Sequence, residues 1–125
     1  MALFPAGNVQ DTQNIVRKTY LYTNSTGSYN VYVFRMGNFR YLVFNGIKGF
    51  SLGTTVVQLD AIDRPKFNTY CIVSDTTSSG GKICVLCLNK KDHATNAGGL
   101  VPQMNPPSSE PFFGQMMYCV ESTDA

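Results

Sequence analysis

The side chains with the widest chemical reach in this chain are four cysteines, Cys71, Cys84, Cys87 and Cys119, and a single histidine, His93. Cys84-Val85-Leu86-Cys87 forms a C-x-x-C. Metal-binding and redox versions of that motif need a turn or a helix start, so that both sulfurs converge on one point. Val and Leu between the two cysteines read as strand, where positions three apart face opposite sides. With no second cysteine pair and one histidine, the expectation is structural cysteine, no metal and no cofactor. Two disulfides are arithmetically possible, but a domain of this size does not need such staples, so free, buried thiols are expected. A Cys87–His93 nucleophile and base would require an orienting third group and an oxyanion pocket, and no local signature supplies either. No G-x-S-x-G, P-loop or dinucleotide glycine fingerprint occurs. The chain is therefore expected not to be an enzyme.

Binding chemistry has more to work with. The stretch from Asn89 to Pro111 is longer than most connections in compact domains, and unstructured loops of that length are commonly functional. Its Asp92, His93, Asn96, Gln103 and Asn105 offer planar polar groups of the kind that hydrogen-bond sugar hydroxyls, and they form the candidate saccharide-binding set. The plainer reading is a solvated surface loop. Tyr70 and Tyr118 are available either to stack on a sugar ring or to fill a core.

A chain of 125 residues is the size of one domain and buries most of the surface that its unfolded form exposes. Charged residues make up 14% and aromatics 12%, with no Trp, and Tyr and Phe favour pleated, half-buried surfaces. A formal charge of +2, from scattered Lys and Arg, is too weak to make the basic stripe that phosphate backbones require. Nucleic acid is excluded as the expected partner. No apolar run approaches the ~20 residues that cross a bilayer, and Met1-Ala2-Leu3-Phe4-Pro5 lacks the basic region and apolar core of a signal peptide. Synthesis in a cytoplasm without membrane insertion is expected.

Residues 1–14 carry Pro5, Gly7 and a polar tail without periodicity, and read as an N-terminal arm ahead of one domain spanning 15–125. Strands are expected over Ile15–Thr23, Tyr29–Met36, Phe39–Phe44, Thr54–Leu59, Phe67–Ser74, Lys82–Leu88 and Phe112–Val120. About seven strands and no helix indicate an all-β fold: an antiparallel β-sandwich or a jelly-roll-like barrel.

The Gly37-Asn38 pair is the strongest local signal, because tight hairpins need positive φ at the turn. With those two residues in the loop, Met36 pairs with Phe39, Arg35 with Arg40, Phe34 with Tyr41, Val33 with Leu42, Tyr32 with Val43 and Val31 with Phe44. One face then carries Tyr32, Phe34, Tyr41 and Val43; the other carries Val31, Val33, Leu42 and Phe44 and ends in Arg35 and Arg40. Neither face is polar, although antiparallel strands usually alternate apolar inside with polar outside. One face is expected to line the core and the other a subunit interface, with Tyr32, Phe34, Tyr41, Val43, Arg35 and Arg40 as interface candidates. The alternative is that the tyrosines lie flat on a monomer's surface. Two arginines directly opposed across a strand pair need water or an acidic partner.

From the hairpin onward the sequence resembles the C-terminal head domains of tailed-phage receptor-binding, tail-fibre and baseplate proteins. The likeness runs through Val33-Phe34-Arg35-Met36-Gly37-Asn38-Phe39, Asn45-Gly46, Ile62-Asp63-Arg64-Pro65, Lys82-Ile83-Cys84-Val85 and the closing Gly114-to-Tyr118 strand. Such heads are β-sandwiches or barrels that trimerise at the tail tip and bind cell-surface saccharide. The resemblance thus implies a virion protein made in the host cytoplasm. Its partners would be further copies of itself in a homotrimer, host cell-wall or surface polysaccharide, and other virion tail proteins. Two features depart from the pattern: only a short arm stands where a stalk usually precedes the head, and the 89–111 insertion is long and proline-rich. A purely structural virion subunit, a capsid or baseplate jelly roll without receptor binding, is the alternative.

Overall fold

The computed structural model describes residues 18–22, 30–76 and 81–121. The 1–14 arm lies outside them. The described chain is all-β, with strands β1 (Lys18–Tyr22), β2 (Val31–Met36), β3 (Phe39–Ile47), β4 (Val57–Gln58), β5 (Thr69–Asp75), β6 (Ile83–Leu88), β7 (Gly99–Pro102) and β8 (Phe112–Cys119). One short 3-10 turn, η1 (Ala61–Asp63), interrupts them. They form a single eight-stranded sheet in the order β1-β2-β3-β8-β5-β6-β7-β4, antiparallel throughout and curled into a half-barrel.

The β2–β3 hairpin turns at Gly37, whose φ of +58° is one that residues with a Cβ rarely adopt. Its six pairs run from Met36↔Phe39 to Val31↔Phe44, in the expected register. At the far end of β3 the pairing with β8 slips between Asn45 and Ile47. The bulge centres on Gly46 (φ +83°) and lets both Phe44 and Ile47 point inward, 1% and 0% exposed.

The concave face of the sheet holds the core. Val31, Val33, Leu42 and Phe44 line it, joined by Val73, Leu86, Leu88, Phe112 and Met116. Residues 48–65 cross over that face and close it with Phe50, Val56 and Leu59, all buried. Phe50 meets Phe112 edge-on with ring centroids 5.5 Å apart. The crossing is anchored by backbone: Val56 N–H donates to Leu100 O at 2.8 Å and Leu59 N–H to Gly98 O at 2.9 Å.

β7 lies inside the 89–111 stretch, which is a strand there and not the continuous loop its composition suggests. Gly99-Leu100-Val101-Pro102 is too short, and too closely bounded by Gly and Pro, to signal a strand on its own. Its order comes from β6 on one side and β4 on the other.

Candidate functional site

Position along each strand sorts the convex face. β2 and β3 place Tyr32, Phe34, Tyr41 and Val43 there, half-buried. Across β8, Phe113 and Met117 are exposed (37% and 61%), as are Tyr70 and Ile72 on β5 (60% and 59%) and Ile83 on β6 (52%). Among the described strand residues of this face none is charged. Its polar groups are partly satisfied within it, because the Tyr41 hydroxyl donates to Gln115 Oε1 on the neighbouring strand. The Phe34 and Tyr41 rings sit 5.9 Å apart.

Arg35 and Arg40 belong to the other side. Both reach the core end of the hairpin, where Asp63 of η1 lies 0% exposed between them. Arg35 Nε donates to Asp63 Oδ1 at 2.7 Å and its Nη2 to Oδ2 at 2.6 Å. Arg40 Nε donates to Oδ1 at 2.8 Å. Arg40 further donates to the carbonyls of Gly37, Phe39 and Ile62, tying the turn to η1. The Tyr118 hydroxyl donates to the Asp63 carbonyl from β8. The acidic partner that opposed arginines demand is therefore Asp63, and Arg35 and Arg40 are placed apart from the tyrosines with which the sequence reading grouped them. Sequence gave no pointer to Asp63 as the partner, because it stands 23 and 28 residues away.

The loop candidates do not converge. His93 Nδ1 accepts the Asn96 and Thr95 backbone N–H groups, and the Asn96 side chain donates to Thr55 Oγ1 at 2.8 Å. Asn105 Oδ1 accepts Leu52 N–H, and Gln103 Nε2 donates to Val101 O. Asp92 is exposed beside Lys90. Asn96 and Asn105 thus sit on different parts of the 52–55 segment, Asn96 on the Thr55 hydroxyl and Asn105 on the Leu52 backbone N–H. Of the two candidate stacking rings, Tyr118 is 8% exposed in the core, whereas Tyr70 stands on the convex face.

The cysteines are free. Cys84 and Cys87 lie on opposite sides of β6 and are buried, which pushes both thiols up from their ordinary pKa. Burial also pushes the half-buried Cys71 up to about 12. Cys119 is exposed, contrary to the expectation of burial. No cluster of three or more potential metal ligands exists among the described residues.

A cleft of about 570 Å³ opens beside the Asp63 cluster, lined by Asn38, Arg40, Ala61, Ile62, Arg64, Lys91, Val120 and Glu121. The Gly37-Asn38 turn and the Ile62-Asp63-Arg64-Pro65 segment meet there. Backbone bonds fix its walls: Lys91 N–H to Pro65 O at 2.8 Å and Val120 N–H to Asn38 O at 2.8 Å. The chain matches no family model and no curated protein. No described helix is long and apolar enough to cross a membrane.

Proposed function

We propose that this chain is a phage virion tail-tip domain that assembles as a homotrimer through the convex face of its sheet and binds host cell-surface saccharide. The single observation that carries the assembly is the largely apolar convex face, whose described strand residues carry no charge. Its six large exposed side chains, Phe39, Tyr70, Ile72, Ile83, Phe113 and Met117, leave on the order of 600 Å² accessible, taking roughly 200 Å² for a full side chain. That is the top of the range for the largest patch on a typical monomer. With the half-buried Tyr32, Phe34, Tyr41 and Val43 it approaches the roughly 800 Å² that one partner gives to a standard interface.

The occupant is a second copy of the chain. Interface centres are depleted of charge, and a face with no described charge meets its own copy without repulsion. The virion setting comes from the family likeness in the hairpin and the Ile62–Pro65 segment. Weak single-site sugar contacts would then be multiplied by three copies through effective concentration.

The reading is tested by sedimentation equilibrium at micromolar concentration together with a host polysaccharide binding assay. A three-chain particle that retains polysaccharide supports it, and a monomer overturns it. The engagement of His93, Asn96, Gln103 and Asn105 in hydrogen bonds within the chain favours a second reading, a structural virion subunit. A well-folded trimer that binds no host polysaccharide selects that reading.

A further inference from the structure

The cleft beside the Asp63 cluster has three cationic side chains on its walls, and they differ in what they have left to give. Arg40 spends its guanidinium on Asp63 and on three carbonyls. Lys91 shares Glu121, with Lys66 3.6 Å from the same carboxylate group. Arg64 has no carboxylate partner among the described residues.

Arg64 is nevertheless held in place. Its Nε donates to Leu59 O at 2.9 Å. Its stem lies flat on Gly98, where an added Cβ would come within 2.5 Å of Nε and 2.7 Å of Cγ. Gly98 also adopts φ +73°. The two terminal amines of Arg64 bond to nothing among the described residues. A guanidinium fixed through its stem and Nε, with its outer amines unspent, has already lost most of the side-chain entropy that binding would otherwise cost. That fork suits a carboxylate, which it can grip with two parallel hydrogen bonds.

Apolar surface flanks this charge. Ile62 is 57% exposed on the cleft wall. Phe67, 70% exposed, lines a second cleft of about 240 Å³ that shares Val120 and Glu121 with the first. A fixed cation beside the exposed Ile62 side chain fits a sugar ring that bears an acidic group.

We propose that this cleft is the saccharide site, and that its ligand is an acidic saccharide whose carboxylate is gripped by Arg64. The proposal rests on the saccharide-binding reading above and names its site and ligand class. Lys91 adds longer-range attraction, and the Asp63 cluster keeps the floor rigid.

The experiment is calorimetric titration of the full chain with trigalacturonate, neutral maltotriose and inorganic phosphate, repeated for Arg64→Gln and Arg64→Lys. Trigalacturonate is expected to bind wild type, to bind Arg64→Gln at least 10-fold more weakly, and to be only partly restored by Arg64→Lys, which keeps the charge and loses the fork. Binding should weaken several-fold between 50 and 500 mM salt, roughly as expected for an exposed charge contact. Maltotriose should not respond to either substitution. Unchanged circular dichroism and melting keep the variants interpretable. No trigalacturonate binding by wild type, binding indifferent to Arg64, or phosphate bound as tightly as trigalacturonate would each overturn the proposal. Host polysaccharide retained equally by wild type and Arg64→Gln overturns this site while leaving saccharide binding intact. Arg64-dependent trigalacturonate binding without any host polysaccharide binding keeps the site and removes the adhesion reading.

Discussion

Asp63→Asn replaces one carboxylate oxygen with an amide NH2 group and removes the negative charge held between two guanidiniums that are 13% and 7% exposed. Neither orientation of the amide fits. An amine in place of Oδ2 faces Arg35 Nη2 at 2.6 Å, and in place of Oδ1 it faces Arg35 Nε and Arg40 Nε at 2.7 and 2.8 Å. Removing one partner from a buried ion pair costs about 3–5 kcal/mol, because the other charge stays buried and uncompensated. For a domain of this size 1 kcal/mol moves the melting temperature by roughly 3–6 °C, so a fall of about 10–30 °C is expected. Urea unfolding followed by circular dichroism gives the free energy directly. A double-mutant cycle with Arg35→Met should show a coupling of at least about 1.5 kcal/mol, since that change removes one of the stranded cations. A loss below about 1 kcal/mol for Asp63→Asn, or strict additivity in the cycle, would refute the view that Asp63 neutralises the arginines.

Three further outcomes are expected. Ile72→Glu or Met117→Glu places a charge at the centre of the convex face and should shift the assembly to monomers in sedimentation without lowering the melting temperature of the domain by more than about 1 kcal/mol equivalent, since both positions are exposed. Gly98→Ala forces a Cβ onto Arg64 at a left-handed backbone position; about 1–2 kcal/mol of stability should be lost along with trigalacturonate affinity, read by urea unfolding and calorimetry. A thiol reagent at pH 8 should label Cys119 in the native state, while Cys71, Cys84 and Cys87 should wait for unfolding. Unfolded Cys71 ionises near 9.0, whereas in the fold it holds its proton to about 12, so the native state binds more protons across that interval. Stability should therefore fall as pH rises from 9 to 12, and Cys71→Ala should flatten that limb of the urea-midpoint profile.

The hairpin was legible because two local rules agree in it. Gly37 supplies the positive φ, and the period of two then assigns every side chain to a face, so Val31, Val33, Leu42 and Phe44 fell together. Which of two apolar faces is the inner one was not legible, because nothing local says where residues 48–65 cross. Gly49 and Gly53 favour irregular chain there, and only the buried Phe50, Val56 and Leu59 reveal that this chain closes the core. The opposed Arg35 and Arg40 announced that a carboxylate was needed but could not point to one, since Asp63 arrives through tertiary packing. The polar loop residues misled for a related reason. Asn, His and Gln side chains suited to sugar hydroxyls are equally suited to holding their own backbone, and His93, Gln103 and Asn105 do so. The Arg64 cleft needs the hairpin turn, η1, Lys91 and the end of β8 at once, and no spacing rule in sequence reports such a convergence.

Assembly through the convex face is the central claim, and sedimentation equilibrium of wild type beside Ile72→Glu tests it most directly. Three chains per particle for wild type at micromolar concentration, and one chain for a folded Ile72→Glu, are predicted. A monomeric wild type, or a trimer unmoved by a glutamate on that face, would contradict it.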